Sequence, residues 1–156
     1  VVEPTGSADV EVRLATPADA AAVAVLLAGG TLFPEHEDAT AAADYAAAIA
    51  EIVATPGLTL LVAEQDGVIV GMCEVITFRH VQHRGGRCAE LESLHVAAPH
   101  RSRGIGAELL AAAIRYARER GCYRLQLTTN RQRVDAQRFY VRHGFVASHV
   151  GMKLDL

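Results

Sequence analysis

The sequence predicts an α/β domain built on a mixed sheet, and three observations carry that prediction. Leu58 to Glu64 and Val68 to Phe78 are strand-like runs joined by Gln65-Asp66-Gly67, a hairpin signal. A third run, Cys88 to Val96, leads into Arg101-Ser102-Arg103-Gly104-Ile105-Gly106 and then a strong helix, Ala107 to Arg120. The element order reads β-α-α-β-β-β-α-β-α-β(β). A hairpin meander followed by a βαβ unit mixes antiparallel and parallel neighbours and places helices on both faces.

Each element has a local reason. Val10-Glu11-Val12-Arg13-Leu14 alternates as a strand does. Thr16-Pro17-Ala18-Asp19 then opens a helix, with Thr16 as N-cap, Pro17 at the first position and Asp19 at the positive end of the dipole. Gly29-Gly30 ends it. A loop holding Phe33-Pro34-Glu35-His36-Glu37 follows, then an Ala-rich helix from about Thr40 to Val53, stopped by Pro56-Gly57. After the first hairpin, a turn around Gly85-Gly86 returns the chain into the third strand. The helix beyond the Gly-rich turn is apolar at Ile105, Leu109, Leu110, Ala113, Ile114 and Ala117, and Gly121 caps it. Tyr123 to Thr129 alternates as a strand. Val134 to His143 is a helix ending at Gly144, and Phe145 to Leu156 is expected to form a last strand or hairpin.

At 156 residues and 51% hydrophobic content, the chain suits a single domain spanning residues 10–156. Residues 1–9 carry neither a basic nor an apolar leader pattern and read as a disordered lead-in. No apolar run reaches membrane-spanning length, so no membrane partner is expected. Cys73, Cys88 and Cys122 are odd in number and form no C-x-x-C pair, which suggests buried free thiols in a reducing cytoplasm and no structural metal. Charge is asymmetric. Residues 1–72 hold eleven acids and one base, whereas residues 73–156 hold seven acids and fourteen bases. A basic half around a Gly-rich turn suits a polyanionic ligand. Nucleic acid is disfavoured, because there is no long basic run and few aromatics lie among the arginines.

The Gly-rich turn itself is a phosphate-binding device. Backbone N–H groups at a helix N-terminus lack intrahelical partners and converge on an anion. Gly104 and Gly106 are expected to adopt backbone angles that a Cβ would forbid, and Arg101 and Arg103 add charge.

Arg-x-x-Gly-x-Gly at 101–106, together with Ala136-Gln137-Arg138-Phe139-Tyr140-Val141-Arg142-His143-Gly144-Phe145, resembles the two signatures of the GNAT superfamily of N-acetyltransferases. The resemblance covers about residues 10–156 and implies a central mixed sheet flanked by about four helices. It implies acetyl-CoA as co-substrate, lying where the strand before the turn splays from the next. Residues 101–107 (Arg101, Ser102, Arg103, Gly104, Ile105, Gly106, Ala107) would hold the pyrophosphate. Backbone groups of Leu94, His95 and Val96 would meet the pantetheine arm. Asn130 and Phe139 also match cofactor-binding positions, although Phe139 and Phe145 read as core by residue type. Tyr140 matches the tyrosine that faces the CoA sulfur.

Acetyl transfer to an amine requires a neutral amine and protonation of the departing thiolate. Glu90 and Glu92 are two apart, so both face the same way and either can be the base, with Glu90 favoured because it lies further from the cofactor-binding backbone. The segment 78–87 holds Arg79, His80, His83, Arg84 and Arg87 and no acid, which suits an anionic amine acceptor. Phe78-x-His80-x-x-His83 and the run Thr128-Thr129-Asn130 are similar to aminoalkylphosphonate N-acetyltransferases, whereas Gly121-Cys122-Tyr123-Arg124-Leu125 is similar to glucosamine-6-phosphate N-acetyltransferases. The acidic loop Glu35-His36-Glu37-Asp38 keeps aminoglycosides and polyamines open. The expected protein is a bacterial, cytoplasmic enzyme acting on a small primary amine, with a homodimer among its forms. A protein or peptide N-acetyltransferase and a silent acyl-CoA-binding sensor are the alternatives.

Overall fold

The computed structural model describes residues 10–156, so the expected lead-in at 1–9 lies outside the described residues. Residues up to Gln126 form one compact unit and Leu127–Leu156 a second.

The first unit is a sheet with helices. Its elements are β1 (Val10–Leu14), α1 (Ala20–Gly30), α2 (Ala42–Ala54), β2 (Leu58–Gln65), β3 (Val68–Arg79), the single turn α3 (Gln82–Gly85), β4 (Arg87–Val96) and α4 (Ile105–Glu119). β5 (Cys122–Leu127) closes a sheet of order β1-β2-β3-β4-β5. The first three pairings are antiparallel. Side-chain bridges from Arg124 to Cys88 and from Gln126 to Glu90 advance together along β4 and β5, the parallel sense a helical crossover requires. The sheet is therefore mixed, as expected. Asp66 and Gly67 both take positive φ, 52° and 76°, as a primed two-residue hairpin turn demands.

The two faces have different owners. Cα partners across an antiparallel pair share a face, as do residues two apart. Leu60, Val62 and Met72 pack with Ala20, Val23 and Leu26 of α1 and Ile49 of α2. Leu61 and its partner Cys73 face the other way, where the Cys73 thiol reaches the Leu109 carbonyl of α4 (3.9 Å). Burial pushes the Cys73 thiol up to about 12, so it is an inert core group. Cys88 is buried as well, but Cys122 is only half-buried, so not every thiol is hidden.

β1 is tied to the start of α1 by charge. The Arg13 guanidinium donates to both Asp19 carboxylate oxygens (2.9 and 2.8 Å) and to Glu64 (2.8 Å). Asp19 also accepts from the Thr16 backbone N–H (2.8 Å). The Arg13 bond holds the Asp19 carboxyl down at about 2, from an ordinary 3.8. A depressed carboxyl pKa stabilises the fold above the ordinary value and loses that contribution as pH falls through the folded one. Asp19→Asn is expected to cost about 1–2 kcal/mol at pH 7, with the partly exposed arginine moderating the figure. The difference in Tm between variant and parent should close as pH falls from 3.8 towards 2, where folded Asp19 itself protonates. Thermal melts across that range read it, and a gap that ignores pH would detach Asp19 from the effect.

The second unit contains α5 (Val134–Arg142), which Gly144 terminates at φ 89°. The expected last strand or hairpin at 145–156 does not form. These residues have no regular structure, and all but Phe145 are exposed. Alternation alone makes no strand; a strand needs a neighbour to take its backbone bonds.

Candidate active site

β4 is interrupted where the expected site begins. Glu92 pairs with Glu74, but the next pair is His95 with Met72, so β4 carries an extra residue. Ser93 sits in the bulge at φ 51°. A bulge kinks its strand and re-aims the residues beyond it. Gln126 of β5 bridges to Glu90 of β4, and β4 runs on to Val96. Leu94, His95 and Val96 follow the bulge. The His95 ring packs onto the last turn of α1, in the space that a Cβ on Gly30 would need.

The chain then turns through Ala98–His100 into the Gly-rich segment. Arg101 donates from Nε to the Val96 carbonyl (3.0 Å), so this arginine also pins the turn to β4. Ser102 and Gly104 take positive φ, 60° and 87°, and Gly104 is the N-cap of α4. Gly106 is an ordinary helical residue, not the second strained position expected from the motif; Ser102 has that role. Ile105 is buried and anchors the helix start, and the carbonyl of Gly104 accepts from the N–H of Ala107 and Glu108. The N–H groups ahead of Ala107 are those that a helix start leaves without intrahelical partners. A Cβ at Gly104 would meet nothing within 4 Å, so the turn opens onto free space. With Arg103 exposed beside it, this N-terminus fits a pyrophosphate.

On the α1/α2 face, three carboxylates line up. Glu74 and Glu92 are direct cross-strand partners, and Glu90, two residues along, pairs with Ile76. All three are half-buried. Burial raises the Glu74 carboxyl above the usual range. Glu90 accepts from the Gln126 amide (3.0 Å). Glu74 escaped the sequence reading. Its signal was a lone acid, Cys73-Glu74-Val75, inside an apolar strand.

The β3–β4 hairpin is built differently from what its composition suggests. His80 Nε2 and the Tyr123 hydroxyl share a hydrogen bond (2.7 Å), and the two rings stack at 5.6 Å with 2° between planes. His83 lies 4.2 Å from the same ring, and Arg124 lies over it. Arg79 bonds the Gly85 carbonyl across the turn. His80, His83 and Arg79 therefore fasten the hairpin to itself and to β5, and Arg84 stays exposed at φ 57°. Among the described residues, no group of three His, Cys, Asp or Glu side chains could hold a metal ion.

In the second unit, Asn130 is exposed; its side-chain oxygen accepts from the Gln132 N–H (2.9 Å), and its carbonyl accepts from Arg133. Asn130 therefore shapes the turn into α5. Tyr140 is half-buried between the Phe139 ring (5.2 Å) and the Phe145 ring (5.6 Å). An open groove of about 500 Å³ is lined by Thr128, Asn130–Gln132 and Gly151–Lys153.

A helix N-terminus turned by a left-handed glycine thus follows a bulged strand. The chain belongs to the acetyltransferase (GNAT) family, whose model matches residues 28–145 and so runs through both units. Members take acetyl-CoA as acetyl donor, and the chain's class is that of an acetyl-CoA-dependent N-acetyltransferase. It is 37% identical over 94 residues to the aminoalkylphosphonate N-acetyltransferase of Salmonella typhimurium, a match spanning 60% of each protein. It is 34% identical over 137 residues to an aminoglycoside N(6')-acetyltransferase type 1 of Stenotrophomonas maltophilia, covering 86% of this chain and 84% of that one. The crystal structure of a Bacillus halodurans C-125 protein described as a transcriptional regulator matches with a TM-score of 0.90 and 36% identity, over 95% of this chain and 100% of that one. Among the described residues, no helix is long and apolar enough to cross a membrane.

Proposed function

We propose that this protein transfers the acetyl group of acetyl-CoA to the primary amine of a small molecule, by direct attack in a ternary complex. The observation that carries this reading is the row of Glu74, Glu90 and Glu92 on one sheet face, next to the β4 bulge. An alkylammonium loses its proton near pH 10 in water, so a carboxylate that accepts the proton directly or through water makes the nitrogen nucleophilic. Glu92 is the better-placed base, because it adjoins the bulge at Ser93. The amine nitrogen bonds to the thioester carbon, the C–S bond breaks, and Tyr140 gives its proton to the departing sulfur. The N–H groups of residues 101–107 and the strand edge at 94–96 hold the donor, with Asn130 and Phe139 assigned to it by family pattern. Residues 10–156 act as one domain of a bacterial, cytoplasmic enzyme that forms a homodimer and has no nucleic-acid partner.

Two acceptor classes have support. Arg79, His80, His83 and Arg84, with the phosphonate-acetylating relative, favour an anionic amine. The three carboxylates, with the aminoglycoside-acetylating relative, favour a polycationic one. Because His80, His83 and Arg79 are engaged within the hairpin, the geometry weighs towards the cation. Thiol release against 2-aminoethylphosphonate, glucosamine 6-phosphate, an aminoglycoside, a polyamine and a lysine peptide decides. A cationic acceptor is expected to turn over fastest, with its KM unmoved by Arg79→Ala/Arg84→Ala. Turnover of a phosphorus-bearing amine whose KM rises in that variant would reverse the assignment. Turnover confined to the peptide would make this a peptide N-acetyltransferase. Tight acetyl-CoA binding with no turnover on any amine would point to a silent sensor.

A further inference from the structure

Arg124, Cys88 and Gln126 form a line of side chains that ends on a carboxylate of the candidate site. Cys88, Glu90 and Glu92 alternate along β4 and so share one face, and Arg124 and Gln126 of β5 bond to it. Arg124 Nε donates to the Cys88 sulfur (3.2 Å), and Gln126 Nε2 donates to Glu90 Oε2 (3.0 Å). Between them, the Cys88 thiol donates to Gln126 Oε1 (3.5 Å), with the Ala89 carbonyl a second acceptor at 3.6 Å. Each bond fixes the sense of the next. A guanidinium has only donors, so the sulfur accepts from it and turns its own proton away. That proton meets the amide oxygen of Gln126, which leaves the amide N–H for the carboxylate. A flipped amide would set its oxygen against Glu90. Cys88 is fully buried, and none of the acetyl-transfer steps uses its thiol.

The donor at Glu90 carries no charge. An arginine or lysine in its place would cancel the carboxylate's charge, whereas an amide orients the group and leaves its charge to a ligand. The helices on this face bring no cation either. α1 has no ionisable side chain, and α2 has only Asp44, Tyr45 and Glu51. Arg124 is turned to Cys88 and to the Tyr123 ring.

We propose that Gln126, oriented by Cys88 and Arg124, is a positioning residue for the acceptor: it fixes Glu90 so that Oε1 receives one N–H of the acceptor's ammonium while Glu92 takes the proton. This rests on the carboxylate row being the acceptor side of an acetyl-transfer site. It does not depend on the acceptor class, because every alkylamine is an ammonium in water near neutral pH. A carboxylate already held in its bound orientation meets the ammonium without first having to be ordered.

Steady-state kinetics of the full chain, with whichever amine of the panel above has the highest kcat/KM, test the idea. Gln126→Met keeps the side chain's length and removes its N–H. The acceptor KM should rise roughly three- to tenfold, the range for one lost hydrogen bond, while kcat and acetyl-CoA affinity stay put. Cys88→Ala leaves Gln126 in place but frees its amide to turn, and should raise KM by less. Cys88→Ser, whose hydroxyl can bond as the thiol does, should keep the parent's KM. In a Glu90→Gln background, Gln126→Met should add nothing, because it acts through Glu90. A KM rise that adds in full there would overturn the proposal. So would an unmoved KM in Gln126→Met beside a raised KM in Glu90→Gln, which would leave the carboxylate row standing. An unmoved KM in both variants, or no turnover of any amine, would remove the acceptor reading of that row as well. Should Gln126→Met lose acetyl-CoA binding, the Cys88 pair decides: a KM raised in Cys88→Ala and kept in Cys88→Ser supports the assignment, and equal values in the two overturn it.

Discussion

Tyr140→Phe is expected to lower kcat by roughly 10²–10⁴-fold, the range for removing a positioned general acid. Acetyl-CoA affinity should stay unchanged. The substitution removes one oxygen and keeps the ring, and the ring is what packs between Phe139 and Phe145. A fall in kcat with donor binding intact marks a group used only as the thiolate leaves. The check is steady-state kinetics paired with direct measurement of acetyl-CoA binding. Unchanged kcat would make Tyr140 a packing residue, whereas lost binding and turnover together would mean that α5 has been disturbed.

Glu92→Gln is expected to lower kcat/KM by roughly ten- to a thousandfold and to remove the acidic limb of the pH–rate profile. Glu90→Gln should have the smaller effect, because Glu90 lies two residues further from the bulge. If the proton travels through water that either carboxylate can accept from, the double variant loses more than the product of the singles predicts. Profiles of kcat/KM from pH 5 to roughly 10, the range over which an alkylammonium competes, separate these cases. An acidic limb that survives in both single variants and in the double would take the proton away from this face, and Glu74 would be the next carboxylate to test. Its half-buried carboxyl, raised by burial, sits directly opposite Glu92.

Turns and helix ends were readable because they are local. Asp66-Gly67 demands positive φ wherever it occurs, and Gly104, Gly121 and Gly144 do so at a helix start and two helix ends. Glu90 and Glu92 share a face because alternation along a strand needs no partner. Strand count failed at 145–156 for the opposite reason. Its alternation is plain, but a strand exists only where a neighbour takes its hydrogen bonds, and none is assigned there.

By itself, then, the sequence determined the α/β class, the hairpin, the glycine-turned helix start and the family to which both signatures belong. Tertiary structure alone brought Glu74 opposite Glu92, placed the Ser93 bulge between the carboxylates and the 94–96 edge, and set His80 and His83 on Tyr123. Propensity and periodicity act over a few residues. Register joins β3 to β4, and hairpin to β5, across tens of residues, and it follows from how the whole sheet packs on α1, α2 and α4.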